Sequence, residues 1–149
     1  MPKHALVSSL IGFALVGAVT AGGIAMASDS TELALTNGSA RYIAPSGDSA
    51  GSATFTADVR DDSGVRSLKV LAWPGSSKLD PTAAELRHTN DATCRSASDD
   101  TSRCTYTLKV TKKEASRLDR GTWYVSALAT AKDGDTVFVP HAATLHVND

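Results

Sequence analysis

Two short-spaced carboxylate groups could do chemistry in this chain: Asp61-Asp62 and Asp133-Gly134-Asp135. Carboxylates so placed are the hard oxygen ligands that calcium takes. Neither group continues into the spaced ligands and late glutamate of an EF-hand loop, and each lies in the Asp, Gly and Ser cluster that a tight turn requires. Both are therefore read as turns, with no metal or cofactor assigned. Gly47-Asp48-Ser49-Ala50-Gly51 fits the Gly-x-Ser-x-Gly pattern of a nucleophile elbow. An elbow needs a strand before the serine and a helix after it, whereas the residues that follow Ser49 alternate as a strand. No histidine lies between Ser28 and Ser49 to serve as an upstream base. Ser49 is read as part of a polar turn, and no residue is given a catalytic role.

Cys94 and Cys104 are the only cysteines. Nine residues separate them and the nearest histidine is His88, so the short Cys-x-x-Cys and His-x-His spacings of zinc or redox sites are missing. In an oxidising compartment the pair has one possible connectivity, a disulfide that closes a short loop. Of the other histidines in the folded part, His141 and His146 fall on opposite faces of one strand and cannot form an in-line metal pair. Trp73 and Trp123 are candidates for an aromatic platform. Trp73, at a strand end beside Pro74, is the better placed of the two for exposure and for contact with a sugar or a partner.

The elements that hold these residues show a period of two. Phe55, Ala57 and Val59 alternate with Thr54, Thr56 and Asp58, and Leu68, Val70 and Ala72 share a face beyond the Asp61-Asp62-Ser63-Gly64 turn, which suggests a hairpin. Asp80-Pro81 marks a capped helix over 81–88, expected to be peripheral. Cys104, Tyr106, Leu108 and Val110 lie on one face, and the disulfide would staple a hairpin across Ser96 to Ser102. Thr111 to Glu114 has capping-box spacing. Trp123, Val125, Ala127 and Ala129 alternate with Tyr124, Ser126, Leu128 and Thr130 ahead of an Asp-Gly turn. Pro140 places the last strand at an edge or a bulge. About seven strands at this spacing of turns, with one or two short helical turns, describe an all-β antiparallel sandwich.

Location is written at the start of the chain. Lys3, the apolar run from Ala5 to Val19 and Ala25-Met26-Ala27 have the form of a signal peptide over 1–27, cleaved before Ser28. Residues 28–40 are small and polar and read as a flexible leader, with a short strand at Leu33 to Leu35, and 41–149 as the single domain. Of 15 basic and 16 acidic side chains only Lys3 leaves with the signal, so 14 face 16 and the net charge is −2. Basic residues are scattered among acids, which lacks the footprint of a nucleic-acid binder or a membrane-surface binder. A secreted, extracellular monomer is expected.

Leu118-Asp119-Arg120-Gly121-Thr122-Trp123-Tyr124, then Ala129-Thr130-Ala131-Lys132-Asp133-Gly134-Asp135, resembles the corner, strand and turn that close immunoglobulin-like and fibronectin-type-III-like domains of bacterial secreted proteins. Asp62-Ser63-Gly64-Val65 resembles an earlier turn of the same modules. The resemblance implies an immunoglobulin-like sandwich in which Leu118 and Tyr124 form a tyrosine corner, and in which the Asp61 and Asp133 turns share one end. Trp73-Pro74, Ala92-Thr93-Cys94 and Cys104-Thr105-Tyr106 add a similarity to small secreted actinobacterial proteins of unknown function. The antibody-type disulfide spans the two sheets, and Cys94 and Cys104 do not match it. The function expected is a non-enzymatic binding or structural module for a protein, cell-wall or carbohydrate partner. Two alternatives stand beside it: an inhibitor or effector presenting the stapled 96–102 loop, and a carbohydrate-binding module using Trp73.

Overall fold

Alternation of apolar or small residues with threonine and charge builds long strands, and the turn clusters between them set where each ends. A computed structural model describes residues 32–148; residues 1–27, where a signal peptide is expected, lie outside the described residues. In chain order the elements are β1 (Ala34–Ile43), β2 (Gly51–Arg60), β3 (Val65–Pro74), α1 (Ala83–Leu86), β4 (Asn90–Asp91), β5 (Thr93–Ser96), β6 (Thr101–Val110), α2 (Lys112–Ala115), β7 (Gly121–Ala131) and β8 (Thr136–Val147). They form two four-stranded sheets, β1-β2-β6-β5 and β4-β3-β7-β8, and every paired neighbour is antiparallel. The expected all-β sandwich is the fold. Phe55, Ala57, Val59 and Cys104 of one sheet meet Leu68, Val70, Val125, Ala127, Ala129 and Leu145 of the other in a common apolar core.

Three local expectations need correction. β2 and β3 are not a hairpin: β2 pairs with β1 and β6, β3 with β4 and β7, and the turn between them carries the chain from one sheet to the other. A period of two states which face of a strand is apolar and is silent on which strand lies beside it. Residues 34–40 are not a leader but the first seven positions of β1, paired with β2 from Ala34 opposite Arg60. The pattern was hidden by a bulge between Thr36 and Ser39, where Asn37 takes a φ of 54° and Gly38 passes so close to the carbonyl of Ala142 that no side chain fits. The same close approach seals β1 against β8 on that side of the sandwich.

The third correction concerns α1. Its N-cap is Thr82, with the capping box closed by Glu85, and the helix is four residues long. As expected it lies outside the central core, though its Leu86 is 0% exposed. Leu86, Leu128 and Trp73 are buried outside the central cluster, and α1 contacts β3 and β7. The other two helical and edge expectations hold. Thr111 and Glu114 close a capping box at α2, and β8 is an edge strand whose register shifts against β7 at Val125 to Ala127, opposite the segment holding Pro140.

Candidate functional site

The two acidic turns meet at one end of the sandwich, as expected. Ser63 Oγ accepts from the Asp133 N–H at 3.2 Å, and the Lys132 N–H donates to the Gly64 carbonyl at 2.9 Å. Asp61, Asp133 and Asp135 each offer a carboxylate oxygen within 4.8 Å of the others, while Asp62 stands outside the group. Asp61 is 1% exposed. Its Oδ1 accepts from the Ser63 N–H and hydroxyl, and Asp133 Oδ1 accepts from the Asp135 N–H at 3.0 Å. Two of the three carboxylates thus satisfy donors of their own turn, which is the usual reason for aspartate there.

Cys94 and Cys104 are bonded, and they sit directly opposite each other on β5 and β6. The loop they staple is tied down further. Ala97 and Ser98 N–H groups both donate to the Thr101 carbonyl, at 2.9 and 3.1 Å, and the Asp61 N–H donates to the Asp100 carbonyl at 2.8 Å. Arg60 Nε donates to Asp100 Oδ2 at 2.8 Å, and this bond, with a second from Thr101, holds the Asp100 carboxyl below the usual carboxylate range. Ser96 to Asp99 remain exposed at the tip.

Trp73 is not an exposed platform. It is 6% exposed, donates its Nε1–H to Ser126 Oγ at 2.9 Å, and packs against Tyr124 and His141 with ring centroids 5.0 and 5.6 Å away. Pro74 ends β3, yet the indole is covered by side chains of β7 and β8, which no local pattern announces. Tyr124 is not the residue that bonds back to the corner before β7. Trp123, on the core side of β7, donates its indole N–H to the Asp119 carbonyl at 2.7 Å, while Tyr124 faces outward and stacks on His141 at 4.3 Å. Ser49 closes the β1–β2 turn through reciprocal main-chain bonds with Ser46 at 2.9 and 3.0 Å and is followed by a strand, so no elbow exists. His88 and His146 are exposed and no ligand cluster includes them among the described residues.

The feature that sequence reading missed is an open side. After β4 the chain crosses from one sheet to the other at Ala92, whose N–H donates to the Leu68 carbonyl at 2.8 Å. β5 then covers β6 only from Ser102 to Thr105. Beyond that point no strand flanks β6 on this edge among the described residues, and the two sheets part around a groove of about 470 Å³. Leu108, Val110, Val70, Trp123, Leu118 and Leu145 contribute its apolar wall. Asn90 Nδ2 donates to the Tyr106 hydroxyl at 3.0 Å across the sheets. Leu108 shares the inward face with Cys104 and Val110 and is nevertheless 50% exposed. The opening follows from the mismatch in length between a ten-residue β6 and a four-residue β5.

A two-sheet antiparallel sandwich with a stapled edge hairpin and one unsealed side is the class of protein that these features define. The chain belongs to the DUF5707 family, a family of unknown function, which it matches over residues 35–129. That span runs from β1 into β7 and includes the disulfide and the β6 wall of the groove. No curated protein matches the chain.

Proposed function

We propose that this protein is a secreted, non-enzymatic binding module of immunoglobulin-like topology that holds its partner in the groove beside β6. The sheet orders β1-β2-β6-β5 and β4-β3-β7-β8 support the topology, since they follow the ABED and CFG arrangement with one short added strand. Secretion rests on the signal pattern of residues 1–27 and fits a disulfide-bonded chain. The observation that carries the binding reading is Leu108, an inward-facing leucine left half in solvent because β5 stops short of it. Contiguous exposed apolar surface framed by polar residues marks interaction sites in soluble proteins.

The inhibitor reading stays as a second possibility because the 96–102 loop is stapled at its base and hydrogen-bonded within, which suits a presented loop. The sugar-platform reading loses its residue with Trp73 buried. A photo-crosslinker placed at Leu108, and in a separate variant at Ser98, distinguishes the two when the protein is mixed with culture supernatant and cell-wall extract. Adducts from position 108 alone are expected. Adducts from position 98 alone would transfer the function to the stapled loop.

A further inference from the structure

Main-chain groups in a strand point alternately to its two sides, so the phase of β6 can be read from its bonds to β5. The Thr101 carbonyl accepts from Ala97 and Ser98, and the pair at Cys94 and Cys104 is joined through side chains. Odd-numbered residues of β6 therefore direct their N–H and C=O groups toward β5, and Arg103 and Thr105 meet it there. Thr107 and Lys109 direct theirs the same way, past the end of β5, where among the described residues no strand pairs with them on that side. Residues 107–109 are exposed. The facing wall offers much less. On β3 the Leu68 carbonyl points toward β4, which puts Ala72 and Pro74 in the same phase, but proline has no N–H and the Pro74 carbonyl already accepts from Ser77 at 3.0 Å.

We infer that the groove takes an extended polypeptide as an added strand, antiparallel to β6 and in line with β5, pairing with the main chain of Thr107 and Lys109. The inference rests on the proposed role of the groove as the binding site. Unpaired strand edges are templates for another chain, and strand addition draws affinity from main-chain bonds and specificity from alternate side chains. The occupant's chemistry follows from its neighbours. Its inward positions, opposite Tyr106, Leu108 and Val110, lie against Leu118, Trp123 and Leu145 and must be apolar. Its outward positions stand beside Thr107 and Lys109 and are polar. Among the described residues Lys109 has no ion pair, so the position opposite it favours a carboxylate by charge complementarity across the strands. A second copy is a poorer fit. Two β6 edges paired about Leu108 would drive the β5 of each copy into the α2 of the other.

The test uses the full secreted chain and a synthetic pentapeptide, acetyl-Val-Glu-Val-Thr-Val-amide, followed by NMR-detected amide hydrogen exchange. Its analogue, methylated on the Glu and Thr nitrogens, keeps the side chains and lacks the two donors. Exchange at Thr107 and Lys109 should slow by about tenfold with the peptide at saturation and not with the analogue, since a hydrogen-bonded amide exchanges only when its strand opens. Equal binding of peptide and analogue would overturn strand addition. The apolar dye 8-anilinonaphthalene-1-sulfonate separates this failure from failure of the groove itself. Dye-induced shifts at Leu108 and Trp123 with no peptide effect would refute the added strand and keep the groove; no response to either probe would refute both. Protection at Thr107 and Lys109 that rises with protein concentration alone would assign the edge to self-association and overturn the inference.

Discussion

The indole of Trp73 donates to the hydroxyl of Ser126 at 2.9 Å, and that hydroxyl donates in turn to the Pro140 carbonyl at 2.7 Å. Three adjacent strands are joined by one buried serine. Ser126 is 0% exposed, and the β7–β8 register shifts at this point, so the freed carbonyl of the bulged strand finds its donor in the side chain. We predict that Ser126→Ala costs about 1–3 kcal/mol, because the buried indole N–H loses its acceptor and the part-buried Pro140 carbonyl its donor. Urea unfolding checks this. The double variant with Trp73→Phe should lose less than the sum of the two single losses, as expected for residues in direct contact.

The disulfide should stabilise the fold without defining it. Its loop is short, with a sequence separation of 10, and chain-entropy closure of such a loop is worth about 2–3 kcal/mol. We predict that the Cys94→Ala, Cys104→Ala double variant unfolds at lower urea by that amount and keeps its far-ultraviolet spectrum. Loss should appear first at β5, which among the described residues pairs with β6 alone. Faster hydrogen exchange confined to β5 and the lower half of β6 is the expected signature; global unfolding of the variant at room temperature would contradict it.

Asp58 ties three strands on the outer face of its sheet. Asn37 Nδ2 donates to its Oδ2 at 2.9 Å, and Arg103 Nε and Nη2 donate to its two oxygens at 2.8 and 3.2 Å. The Asn37 bond first, and then the guanidinium, hold its carboxyl below the ordinary value. A carboxyl depressed in the folded state adds stability that is present above its unfolded pKa of about 3.9 and is lost as pH falls through the lower folded value. The stability gap between the parent and Asp58→Asn should therefore be widest at neutral pH and narrow below about pH 4. Chemical unfolding at pH 7 and pH 3 measures it. A gap that widened in acid would contradict the sign.

The Asp61, Asp133 and Asp135 end should be indifferent to calcium, because turn donors already occupy Asp61 and Asp133. We predict that Tm is unchanged, within about 1 °C, between millimolar calcium and chelator. A micromolar site saturated a thousandfold would add about 4 kcal/mol and raise Tm by several degrees. Such a rise, abolished by Asp133→Ala, would make this end a metal centre.

Much of this protein is legible in its sequence because strand faces are local. The alternation of Phe55, Ala57 and Val59, of Leu68 and Val70, and of Val125, Ala127 and Ala129 already names core residues, and each proves buried. The paired cysteines, the Thr111 capping box and the disturbance near Pro140 follow from equally short-range rules. What the sequence leaves open is everything that depends on which strand lies beside which. Whether Asp61 to Gly64 closes a hairpin or crosses between sheets, whether Asn37 and Gly38 end a leader or bulge a strand, and whether Trp73 meets solvent or the side chains of Tyr124, Ser126 and His141 are decided by partners far along the chain. The groove beside Leu108 is the extreme case, since it exists only where an expected neighbour strand stops. Local periodicity reports what a residue prefers to bury, and only the assembled sheets decide whether anything arrives to bury it.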